Sequence, residues 1–147
     1  FDGRTMQRVM APEYGGKPGD VVRDNAYAAP LAVFPPHGSP LDLIFYEGKQ
    51  FPAAYRGGGF VAFHGGSEQN GYDVWFFPKP PAKGRAKPVV FAEGFAGAER
   101  KQATAEFRPS AVAVGPSGAL YVMESRRGRI WRIDYVGTGK GAKAARR

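Results

Sequence analysis

Cysteine is absent from all 147 residues, which excludes a disulfide frame, a thiolate zinc site and a cysteine nucleophile. Histidine occurs only twice, as His37 and His64, so imidazole chemistry has two candidate sites. No apolar run approaches the roughly 18 residues that span a bilayer, and no signal-like segment precedes Phe1. The expectation is a soluble chain, either a mature product or a piece of something longer, without a transmembrane segment. Helical periodicity is nearly missing. The one candidate, residues 97–107 ("GAERKQATAEF"), is polar enough to read as a surface turn or loop. "GKPGD" and "GTGKGAK" lack the Gly-x4-Gly-Lys-Ser/Thr spacing of a nucleotide loop. Ser39, Ser67, Ser110, Ser117 and Ser125 have no nucleophile-elbow context, so hydrolysis has no support. Asp2, Glu13, Asp20 and Asp24 are not spaced as in a helix-loop-helix calcium site; an ion held partly by backbone carbonyls would leave no signature.

What the chain does have is apolar content and turn residues. Hydrophobic residues make up 43%, enough for one core in a single domain of this length. The 21 glycines and 13 prolines lie scattered between apolar runs, which favours many short strands joined by turns. The net charge of +8 invites a nucleic-acid reading, but half of the excess is Lys140, Lys143, Arg146 and Arg147 in the acid-free tail. A solvated, disordered terminus is the ordinary reading of such a tail, and no specific nucleic-acid partner is expected. Phe45, Tyr46, Trp75, Phe76, Phe77 and Trp131 sit inside strand runs, where aromatics build a core rather than a stacking platform for bases.

The dominant period is two. "PLDLIFYEG", "GGFVAFHG", "GYDVWFFP", "PVVFAEGF", "SAVAVGPSG", "ALYVMES" and "GRIWRIDY" are each of strand length and rich in β-branched or aromatic residues, and turn formers bound them. Seven strands are predicted. Pro116-Ser117-Gly118 and Arg126-Arg127-Gly128 mark turns, so Ser110 to Tyr135 reads as an antiparallel meander. In its last strand Trp131, Ile133 and Tyr135 share one face and Ile130, Arg132 and Asp134 the other, as in a strand buried on one side.

Repeated short meanders suggest β-propeller blades of four antiparallel strands, of which two to three fit this length. A propeller needs more blades to close, so the missing ones belong to the same precursor, to another chain or to identical copies. A small β-sandwich or barrel is the alternative. The predicted organisation is a loop-rich segment (1–30) packing on the blades, the blades themselves (31–135) and a basic tail (136–147).

From Phe1 to Tyr135 the order "FDG…MAPEYGG", "FPPHGSPLDLIFYEGKQFPAAYRGGGFVAFHGGS", "GYDVWFFP", "FAEGFAG" and "FRPSAVAVGPSGALYVMESRRGRIWRIDY" resembles the last third of the pyrroloquinoline quinone (PQQ)-dependent sugar dehydrogenases of the sorbosone and glucose dehydrogenase family. The resemblance implies an all-β, six-bladed propeller to which this chain supplies the closing blades. It also implies PQQ on the propeller axis beside a calcium ion, oxidation of sugars or related aldehydes and alcohols, a periplasmic or secreted setting, and an electron acceptor such as a cytochrome c.

The same resemblance singles out site residues. Family members usually carry His-Gly-Ser-Trp-Asn-Arg where this chain has "HGGSEQN". His64 is kept, and Asn70 closes the stretch, while the tryptophan and arginine are gone and Glu68 has the wrong charge for an anionic tricarboxylate cofactor. His64 ends an apolar strand before two glycines; its candidate role is general base, taking the substrate hydroxyl proton as hydride passes to the quinone. The competing reading is a plain hairpin. In "YVMESRRG" the family usually has Ser-Asp-Asp, so Glu124 stands for one acid and Ser125 does not replace the other. Arg126 and Arg127 restore the missing cations if the loop tip bends towards the axis, and are solvated turn residues otherwise. His37 also matches a family position, with a hydrogen-bonded structural histidine as its ordinary reading. These departures keep a second function open: a cofactor-free propeller serving as a binding or assembly module.

Overall fold

The computed structural model describes residues 12, 15–17, 20, 30–66 and 70–137. The expectations for residues 1–30, for Glu68 and for the tail therefore lie wholly or mostly outside the described residues. All seven predicted strands form: β1 (Pro40–Phe45), β2 (Gly59–Phe63), β3 (Asp73–Phe77), β4 (Val89–Ala92), β5 (Pro109–Val114), β6 (Leu120–Glu124) and β7 (Ile130–Ile133). They make two antiparallel sheets, one ordered β1-β2-β3-β4 and one ordered β5-β6-β7. The chain is all-β. The polar stretch 97–107 holds turns and no helix. No helix among the described residues is long and apolar enough to cross a membrane.

Alternation of side chains along a strand explains how the sheets stack. On β2 and β3, Phe60, Ala62, Val74 and Phe76 point to one face and join Val112, Leu120 and Val122 of the second sheet in a single core. Val61, Phe63 and Phe77 point to the other face and pack with Ala86, Ala32, Phe34 and Trp75. Both faces of the central strands are therefore covered, and their near-continuous apolar sequence follows from that. Each large side chain so buried contributes about 1.5–3 kcal/mol of hydrophobic stabilisation. Aromatic rings bind the first core: Phe60 meets Tyr46 edge-on at 5.8 Å and Phe91 at 4.7 Å between centroids.

Polar links between the sheets are few and specific. The Tyr46 hydroxyl is wholly buried; it donates to the Gly118 carbonyl at 2.8 Å and accepts from the Phe51 N–H at 2.9 Å. Asp42 accepts from the Val112 N–H at 2.9 Å, which ties edge strand β1 to β5. These bonds fix the second sheet against the first, and with it the turn between β6 and β7.

Candidate functional site

β2 runs out at His64, and the described residues of the loop to β3 are tied down at both ends. Its backbone is pinned outward, His64 N–H to Ser39 O and Gly65 N–H to Gly38 O, both at 2.9 Å. Tyr72 closes it from inside: its N–H donates to Phe63 O at 2.9 Å, and its hydroxyl donates to Gly66 O at 2.6 Å. Gly65 has φ +83, and a Cβ there would collide with the Tyr72 ring. Only glycine meets both demands. The "HGG" run thus holds His64 at a defined place at the end of an apolar strand.

The second sheet brings three side chains to that place. Arg108 precedes β5; its Nε donates to His64 O at 3.1 Å and its Nη2 to Gly65 O at 2.5 Å. Ser125 follows β6, donates its N–H to Arg108 O at 3.1 Å, and sets its Oγ 2.8 Å from His64 Nε2. Arg126 comes next in the turn. His64, Arg108, Ser125 and Arg126, with Gln102 and Ala103, line an open depression of about 410 Å³ where the two sheets meet. Partial burial first, and then the Arg108 charge, hold the His64 imidazole below its ordinary 6.5 and so favour its neutral form. An imidazole biased towards its neutral form beside the Arg108 guanidinium, in a depression that Arg126 also lines, can accept a proton from a hydroxyl.

The other candidates are placed differently. Glu124 is 1% exposed, and its carboxylate is turned onto its own turn, accepting the N–H groups of Arg126 at 2.8 Å, Arg127 at 2.9 Å and Arg129 at 2.8 Å. Burial pulls its pKa up, but the N–H groups of Arg129, Arg126, Arg127 and Arg108 outweigh that and leave it below the ordinary carboxylate value. Glu124 shapes the loop that carries Ser125 and Arg126 and does not line the depression. Arg127 is exposed, with its guanidinium over the Phe107 ring, 5.3 Å from the centroid. Asn70 donates to Pro36 O at 3.0 Å and lines a separate, smaller pocket with Asp73, Trp75, Glu93 and Arg100. His37 is exposed at φ +61, a backbone geometry few side chains adopt. His64 and Arg126 come together; Asn70, Glu124 and Arg127 do not join them.

A profile of the TrAA12-like family matches residues 4–136. The chain belongs to the TrAA12-like family. The match spans both sheets and all four residues that carry the depression's charge and hydrogen bonding. Comparison with curated proteins and with solved structures gives no significant match.

Sequence reasoning missed Arg108 and undervalued Ser125. Arg108 reads as the polar flank of a strand in "FRPS", and its meeting with His64 bridges 44 positions of sequence. The signal available was an arginine directly before a proline at the start of a strand. Proline holds the preceding residue extended, and here the Arg108 side chain reaches across to the neighbouring sheet. In the sequence Ser125 reads as a serine without a nucleophile-elbow context and as a position where an acid is missing; its hydroxyl instead meets His64.

Proposed function

We propose that this chain is the closing portion of a β-propeller oxidoreductase that uses PQQ to oxidise sugars or related aldehydes and alcohols, and that it works with the remaining blades. The observation that carries the reading is the meeting of His64 with Arg108, Arg126 and Ser125 where two antiparallel sheets abut. Membership of the TrAA12-like family and the sequence resemblance to quinone-dependent sugar dehydrogenases support it.

The donor set fits one edge of the quinone. Two guanidinium groups complement carboxylates, and the depression's volume of about 410 Å³ accepts part of a flat tricyclic acid. No tryptophan lines it, so the flat partner for the ring comes from the remaining blades in this proposal. Arg108 and Arg126 would face the carboxylates with the N–H groups that their backbone bonds leave over, and Ser125 Oγ would take the substrate hydroxyl proton as its own passes to His64 Nε2. When bound, the quinone supplies a hydride acceptor. Among the described residues no group of three His, Cys, Asp or Glu stands ready for a metal, and calcium is given no step. A periplasmic or secreted setting and an electron acceptor such as a cytochrome c belong to the same proposal.

A second reading, a cofactor-free binding or assembly module, is favoured by one observation. Both guanidinium groups are already engaged with backbone carbonyls: Arg126 spends Nη1 on Gln102 O at 3.1 Å and Nη2 on Ala103 O at 2.8 Å, and Arg108 spends Nε on His64 O at 3.1 Å and Nη2 on Gly65 O at 2.5 Å. Calorimetric titration of the purified chain with PQQ, in the presence of calcium, separates the two. Saturable one-site binding and a raised melting temperature, both lost in Arg126→Ala with the fold retained, support the oxidoreductase. Absence of heat and of any thermal shift overturns quinone binding by this chain alone and means either that the missing blades are required or that the site is lost.

A further inference from the structure

We infer that Arg108 is the positioning residue for His64, gripping the backbone that carries the imidazole and fixing the partner of its Nε2. The inference rests on the proposed function, in which His64 is the base, and goes beyond it by assigning a residue that no motif pointed to.

The geometry is a closed circuit across the two sheets. The Arg108 side chain donates to His64 O and Gly65 O at 3.1 and 2.5 Å. Its own carbonyl accepts the Ser125 N–H at 3.1 Å. Ser125 Oγ then returns to His64 Nε2 at 2.8 Å. One residue therefore sets both ends of His64, the backbone directly and the ring through Ser125. The guanidinium also lies 5.8 Å from the Tyr72 ring centroid, and that ring closes the same loop. Two parallel N–H donors aimed at successive carbonyls use the planar fork of arginine; a lysine ammonium keeps the charge without that fork.

Charge points the same way. Among the described residues the charge that acts on the imidazole is that of Arg108 at the start of β5, and Arg126 in the β6–β7 turn lines the same depression. Glu124, beneath that turn, spends its oxygens on backbone N–H groups. The imidazole thus meets cationic charge and no free carboxylate among the described residues, which favours the form that accepts a proton.

Titration of the two histidines by NMR in the isotopically labelled chain tests the inference, with His37→Gly identifying which signals belong to His64. In the wild type His64 is expected to titrate below 6.5, with a single hydrogen-bonded Nε2 signal. Arg108→Gln is expected to move the titration upward and broaden that signal. Arg108→Lys is expected to keep the low titration while broadening Nε2. A folded Arg108→Gln variant with unchanged titration and unchanged Nε2 signal overturns the role. Should Arg108→Gln fail to fold, Arg108→Lys decides: an unaltered, sharp Nε2 signal there shows that the fork is not needed and overturns it equally. No quinone enters the measurement. If the Arg108 effect appears but PQQ does not bind, only quinone binding by this chain alone falls; if PQQ binds and His64 ignores Arg108, only the positioning role falls.

Discussion

Glu124→Ala removes the carboxylate around which the β6–β7 turn is wound. Three backbone N–H groups, those of Arg126, Arg127 and Arg129, lose a charged acceptor held at 2.8–2.9 Å. A hydrogen bond to a charged group is worth ~1.5–3 kcal/mol net, but the turn is exposed and water recovers part of the loss, so roughly 3 kcal/mol is expected rather than the sum. For a chain of this size that lowers the melting temperature by about 6–12 °C. The loss has a pH signature. Glu124 has its native pKa below its unfolded value, so its contribution is complete above the unfolded value of 4.5 and drains away as pH falls through the native one. The gap between wild type and Glu124→Ala should therefore be constant near neutrality and shrink on acidification below 4.5. Thermal melts at a series of pH values measure this. The turn also carries Ser125 and Arg126, so the His64 contact should loosen in the same variant, read by NMR. A melting temperature within about 2 °C of wild type at pH 7 would refute the assignment of Glu124 as the turn's internal acceptor.

Three further outcomes are expected. Tyr46→Phe leaves the Gly118 carbonyl and the Phe51 N–H without their buried partner and should cost roughly 2–4 kcal/mol by denaturant titration; a cost under about 1 kcal/mol would mean that water replaces the hydroxyl. Gly65→Ala sets a methyl group against the Tyr72 ring at a left-handed backbone position and should cost about 2 kcal/mol or more while displacing His64; an unshifted His64 signal in the folded variant contradicts the preformed loop. His37→Gly, at φ +61 and exposed, should change stability by less than about 1 kcal/mol and leave quinone binding intact, and a loss of binding would return His37 to the site.

Legibility in the sequence followed the range of the interactions involved. The strands of the meander, "SAVAV", "ALYVM" and "GRIWRI", were readable because alternation and turn residues act between neighbours. The same holds for the polar stretch 97–107, whose lack of an apolar stripe ruled out a packed helix. His64 was legible as a candidate through the family resemblance and because a histidine between an apolar strand and two glycines is a local pattern, and Arg126 only through the resemblance, as one of two cations near a missing acid.

What only the tertiary structure decided is the direction and company of each polar side chain. Glu124 and Ser125 are adjacent in sequence, and alternation at a strand end sends their side chains to opposite uses: one into its own turn, the other to His64. Arg126 and Arg127 look alike in the sequence, yet the first lines the depression while the second lies over Phe107. Arg108 became part of the site because two sheets sharing one core bring the start of β5 beside the end of β2. Local composition determined that strands would form and where they would turn; the stacking of their buried faces, a long-range hydrophobic choice, determined which charges met.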